Sequence, residues 1–138
     1  MKIDYNKYKK PFIEFIEKFD WTCEGCLTPP FKMSNLAAYN AIQRMFKLIG
    51  KKYPEFRMFC VAERFSEGGY HIHYLIKLPS LTANETIKFT EMKWADSIGV
   101  KKPTNNKSRK YDKSKGPVAY SLKSIMQKNV LYEFGGNY

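Results

Sequence analysis

Two strand-like runs, RMFCVAERF (57–65) and YHIHYLIKL (70–78), flank the connection Ser66-Glu67-Gly68-Gly69. Apolar, β-branched and aromatic residues on either side of a Gly-containing turn predict a β-hairpin. No other stretch constrains the fold as much, because residues opposite each other in an antiparallel pair share a sheet face. The length of the connection decides which residues those are. A three-residue connection, Ser66-Glu67-Gly68, places Glu63 opposite His71 and Val61 opposite His73. Five residues place Glu63 opposite His73 and keep the same faces together, whereas four send Glu63 to the other face. Gly68 stands where a three-residue hairpin loop wants its left-handed glycine. The expected hairpin therefore gathers Glu63, His71 and His73 on one face and turns Cys60, Ala62, Ile72, Tyr74 and Ile76 towards a core.

Around this hairpin the periodicities predict the remaining elements. Tyr8, Phe12, Phe15, Ile16 and Phe19 recur at helical spacing over residues 6–19, with Pro11 in the first turn. WTCEGCLTPPF reads as a short strand ended by Pro29-Pro30. Ser34 caps a second helix with Leu36, Tyr39, Ile42, Met45, Phe46 and Ile49 on its apolar face and Gly50 just past its end. Thr82 and Glu85 form a capping box for a third helix ending near Gly99. Val100-Lys-Lys is the candidate last strand, followed by a polar loop, PTNNKSRKYDKSKG. Pro117 opens a final helix to about Asn129, and the tail, residues 131–138 with Gly135-Gly136, is expected to be loose. The order is the ferredoxin-like, RRM-like βαββαβ pattern, an α+β fold with a central antiparallel sheet, helices packed on it and extra helices at both ends. Residues 1–138 are expected to form a single domain, the size that one core supports.

His71 and His73 are the chain's two histidines. A His-x-His pair on a strand is usually structural, and a facing carboxylate changes the balance. Glu63, His71 and His73 together offer an oxygen and two imidazoles, a set suited to manganese, magnesium or zinc. Three protein ligands also leave positions open for substrate. Cys23 and Cys26 form a C-x-x-C with no second pair to complete a zinc site, so the three cysteines are expected to be reduced and structural.

Twenty-four Lys and Arg against thirteen Asp and Glu give a net charge of +11, which favours a polyanionic partner, nucleic acid before an anionic membrane. No stretch reaches the roughly 18 apolar residues of a membrane span, and MKIDYNKYKK lacks an apolar signal core, so an intracellular location is expected. The basic residues concentrate at Lys101, Lys102, Lys107, Arg109, Lys110, Lys113 and Lys115, a candidate phosphate-binding arm. Trp21, Trp94 and Tyr111 are candidates to stack on bases.

On the final helix, Tyr120 and Lys123 lie at i and i+3 and so share a face. A tyrosine beside a lysine and a metal is equipped to attack a phosphodiester, since both cations stabilise the phenolate and the phosphate charge. With ten tyrosines in the chain, that spacing carries weight only because it follows the Glu-His-His cluster. Tyr111, in the polar loop, is the rival nucleophile.

Glu63, seven intervening residues, His71-Ile-His73 and the later Tyr120-x-x-Lys123 resemble the HUH endonucleases, and among them the single-tyrosine Rep proteins that initiate rolling-circle replication. Cys26-Leu-Thr-Pro-Pro-Phe31 loosely resembles their first motif. The resemblance spans about residues 21–130. It implies a divalent ion, Mn2+ or Mg2+, held by Glu63, His71 and His73. It implies single-stranded DNA, at an origin or hairpin, nicked by Tyr120 through a 5′-phosphotyrosine link, with Lys123 steadying the phosphate. The host cytoplasm, or the nucleus of a eukaryotic host, is the implied location.

The chain carries no G-x-x-x-x-G-K-[ST] loop, so a helicase is expected from the host, alongside a polymerase. A single-tyrosine transposase is the nearest alternative, but Ser124 stands where those enzymes usually have glutamine. A non-catalytic nucleic-acid-binding domain would account for the charge but not for the Glu-His-His cluster. A small zinc hydrolase leaves Tyr120 without a role.

Overall fold

The computed structural model describes residues 5–64, 68–102, 106–118 and 131–138. Its helices are α1 (Tyr5–Glu17), α2 (Asn35–Lys52) and α3 (Ala83–Ser97). Its strands are β1 (Cys23–Leu27), β2 (Arg57–Arg64), β3 (Tyr70–Lys77), β4 (Lys107–Lys110) and β5 (Leu131–Gly136). The sheet runs β4-β1-β3-β2-β5 with every neighbouring pair antiparallel. β1 and β2, joined by α2, are thus parallel to each other with β3 inserted between them. β3 and β4, joined by α3, straddle β1 in the same way. This is the split βαββαβ arrangement, an α+β fold, with β5 added beside β2.

The helix starts are dictated locally. The Ser34 side chain accepts the Ala37 N–H, and Thr82 and Glu85 form the complete reciprocal box at the start of α3. α2 and α3 cover one face of the sheet. Ile42, Met45, Ile49 and Trp94 are fully buried there against Met58, Cys60, Ala62, Ile72 and Ile76. Leu36 and Tyr39 are exposed, and the buried stripe of α2 runs instead through Ala38 and Ala41. α2 also continues through Gly50 to Lys52. α1 starts early enough that Pro11 falls inside the helix instead of in its first turn. The other sheet face is partly covered by α1: Ile16 and Trp21 are buried against Phe59, Val61 and Leu75, with Phe12 and Phe134 packed beside them. No described helix is long and apolar enough to cross a membrane.

The last strand of the βαββαβ core is not Val100-Lys-Lys but β4, inside the stretch expected to be a polar loop. Its sequence, KSRK, has no apolar alternation because it is a sheet edge that presents long cationic side chains to water. It is held by backbone pairing to β1 and by Ser108, which accepts a hydrogen bond from the Tyr74 hydroxyl (2.6 Å) and donates to Glu91 (2.9 Å). Gly25 makes this possible, since a Cβ there would lie 2.3 Å from the Lys107 carbonyl oxygen.

The tail expected to be loose forms β5 along β2. Its glycines mark close packing: a Cβ on Gly135 would sit 2.5 Å from the Phe46 ring, and Gly136 takes a φ of 92°. Trp21 and Trp94 are core residues, Trp21 donating its indole N–H to the Ile16 carbonyl, so neither is placed to stack on a base. Pro117 and Val118 are helical and buried. The rest of the predicted final helix, residues 119–130, lies outside the described residues.

Candidate metal centre

The hairpin adopts the register of the three-residue connection. Glu63 pairs with His71 and Val61 with His73, and Gly68 and Gly69 both take positive φ, 90° and 84°. Residues 65–67 of the connection lie outside the described residues. Because paired residues share a face, β2 and β3 present Glu63, His71 and His73 on the sheet face that α1 covers only in part. The carboxylate reaches both rings: Glu63 Oε1 lies 3.8 Å from His71 Nε2, and Oε2 lies 3.4 Å from His73 Nε2. The rings are nearly perpendicular with centroids 4.8 Å apart. His73 is buried, while His71 and Glu63 are half-buried and open the cluster to solvent.

β1 brings in a fourth donor. Cys26 pairs with His73 across the β1–β3 ladder and so projects from the same face. Its Sγ and one nitrogen from each imidazole all lie within 4.8 Å of one another. Sequence reasoning set Cys26 aside as structural. The parity within the hairpin was readable, but the pairing of β1 with β3 is a long-range fact with no local signal. Burial pushes the Cys26 thiol above its ordinary range, a hydrogen bond with Thr28 lowers it, nearby Glu63 raises it further and Lys107 opposes that. Cys23 and Cys60 face the core, where burial raises the Cys23 thiol to about 12 and Cys60 higher still; these two fit the expected structural role.

A carboxylate, two imidazoles and a thiol are all donors to divalent cations. Ligand atoms around a small cation stand about 3 Å apart, so the 3.4 and 3.8 Å separations need only a modest contraction. Glu63 Oε2 is buried and accepts no hydrogen bond among the described residues, as suits an atom awaiting a cation. Glu63, His71 and His73 fit the role of holding a divalent ion.

The basic residues divide among several surfaces. Lys107 pairs with Cys26, and Arg109 pairs with Glu24, which shares the face of Cys26; both cations therefore edge the face of the cluster. Arg109 forms an ion pair with the buried Glu24 carboxylate, a contact that sequence reasoning missed. Lys110, opposite Cys23, belongs to the other face, and Lys113 and Lys115 lie exposed in a 3-10 turn. Lys101 and Lys102 are exposed beyond the end of α3.

Tyr120 and Lys123 fall outside the described residues. The rival, Tyr111, is tied to the sheet: its N–H donates to the Thr22 carbonyl (3.1 Å), extending the β4–β1 ladder. Its ring packs into the cluster of Ile16, Phe59 and Leu75, and burial raises its phenol pKa, with Glu17 and Glu24 adding to the effect. A raised pKa and a buried hydroxyl suit a nucleophile poorly. Val118 is fully buried in that same cluster with Val61, the residue opposite His73.

The family model for the replication-associated protein ORF2 matches residues 27–129, a span that begins at the end of β1 and includes Glu63, His71, His73, β4 and Tyr120. No curated protein matches, and neither does any solved structure. With three quarters of its length matched, the chain belongs to the replication-associated protein ORF2 family.

Proposed function

We propose that this chain is a single-stranded DNA nicking and joining endonuclease that initiates rolling-circle replication. The observation that carries the proposal is the β2–β3 register, which sets the Glu63 carboxylate within 3.4–3.8 Å of both imidazoles on one sheet face. Glu63, His71 and His73 hold a divalent ion, Mn2+ or Mg2+, which when bound polarises the scissile phosphate. Membership of a replication-associated family supports DNA as the substrate.

Tyr120 is the proposed nucleophile. It follows Val118 by two residues, and Val118 is packed beside Val61 on the face of the cluster, which supports a position for the tyrosine near His73. The phenolic oxygen forms a bond to phosphorus, the P–O3′ bond breaks, and the 3′-oxygen takes up a proton as the phenol loses one. The products are a 5′-phosphotyrosine link and a free 3′-hydroxyl that a host polymerase extends. Because the linkage conserves the bond energy of the phosphodiester, the same residues rejoin strands by the reverse step. Lys123 steadies the phosphate, and Lys107 and Arg109 hold neighbouring phosphates along the β4 edge.

Incubation with Mn2+ and a diverse pool of single-stranded oligonucleotides is expected to give a covalent protein–DNA adduct that survives denaturing electrophoresis. Tyr120→Phe is expected to abolish it, and an adduct that persists in Tyr120→Phe would exclude Tyr120. Binding without cleavage under every metal tried would instead point to a non-catalytic DNA-binding domain.

A further inference from the structure

We propose that Cys26 is a fourth ligand of the metal centre, and that it closes the site around zinc-class cations while leaving it open around magnesium and manganese. The proposal rests on Glu63, His71 and His73 being a metal centre. Its own basis is the β1–β3 register, which places Cys26 beside His73 on the same face, and the convergence of Sγ and two imidazole nitrogens within 4.8 Å. Glu63 approaches the imidazoles from β2, and Cys26 approaches them from β1 on the other side of β3.

The two flanking donors differ in kind. A carboxylate oxygen suits hard cations such as Mg2+ and Mn2+, whereas a thiolate suits softer ones. For a hard ion, Glu63, His71 and His73 supply the protein ligands and the remaining positions accept phosphate oxygens. For Zn2+, one thiolate, two imidazoles and one carboxylate complete a tetrahedron and leave no position for substrate. Zinc binding then releases the thiol proton to solvent, since only the thiolate is a ligand. Cys26 is half-exposed, so an entering cation has a route to it. Cys23 and Cys60 are buried on the opposite face and cannot substitute.

The test is titration of the full chain with Co2+ and Zn2+. The unsubstituted protein, Cys23→Ser and Cys60→Ser are expected to show thiolate-to-cobalt charge-transfer absorption, and Cys26→Ser to lose it. Zinc affinity, measured by chelator competition, is expected to fall roughly tenfold or more in Cys26→Ser, with a much smaller change for Mn2+. A charge-transfer band that persists in Cys26→Ser, or an unchanged zinc affinity, overturns the proposal. Cobalt binding with no thiolate band in the unsubstituted protein removes the thiol and leaves the Glu-His-His centre standing. Failure to bind any of these ions overturns both. Should Cys26→Ser fail to fold, alkylation of the unsubstituted chain decides: zinc, but not magnesium, is expected to protect Cys26, and equal protection by both ions, or none by either, overturns the proposal.

Discussion

Glu63 shows how much depends on one residue's parity. Its side chain is largely buried beside two imidazoles, an environment that is costly for a carboxylate unless positive charge is close by. A divalent ion supplies that charge and uses both carboxylate oxygens' lone pairs. Glu63→Gln keeps the shape and removes the charge. It is therefore expected to leave the fold intact by circular dichroism and to weaken Mn2+ binding by roughly 10-fold to 100-fold in calorimetric titration. Equal Mn2+ affinity in the variant would take Glu63 out of the ligand set. This part of the site was legible because it is local: Glu63, His71 and His73 lie within one hairpin, and one glycine-bearing turn sets their faces. Cys26 and the Glu24–Arg109 pair were not legible, since each depends on which distant strand lies beside β1.

Among the elements, those with a buried face were legible and those at the sheet edges were not. α2, α3 and the central strands bury regular apolar stripes, and their caps are written in adjacent residues. β4 and β5 are edge strands, one reading as pure charge and the other ending in two glycines. In α2 the buried positions Ala38 and Ala41 were passed over in favour of bulkier Leu36 and Tyr39. A small residue marks close approach as surely as a large one marks burial.

Gly135 offers a direct check. A methyl group there meets the Phe46 ring, itself wedged between α2 and the sheet, so Gly135→Ala must displace the ring or the strand. The expected cost is about 1–3 kcal/mol, read as a lower urea midpoint at unchanged slope. An unaltered midpoint would mean that the tail does not seat as β5. At the start of α3, Thr82→Ala removes the cap and is expected to cost about 1 kcal/mol. The Thr82 hydrogen bonds hold the Glu85 carboxyl below its usual range, so their contribution is present above the unfolded pKa and is lost as pH falls through the lowered one.

At the scale of the whole molecule, a charge of +11 is spread over surfaces of unequal use. One end of the half-covered sheet face is closed by the aromatic packing of α1 and β5, with Phe59 and Phe134 ring centroids 4.8 Å apart. The other end carries the Glu-His-His cluster, and its β4 border carries Lys107 and Arg109. If single-stranded DNA crosses this end, Lys107 contributes a phosphate contact, and Lys107→Ala is expected to flatten the plot of log affinity against log salt by ~0.7. Arg109 should count for less, because its guanidinium is already partly neutralised by Glu24. Arg109→Ala should also destabilise the fold by leaving a buried carboxylate without its partner. Lys110 projects from the opposite face, so Lys110→Ala should leave the slope nearly unchanged. The order Lys107, then Arg109, then Lys110 distinguishes a strand tracked along one face from diffuse attraction to a basic surface, in which all three substitutions would flatten the slope alike.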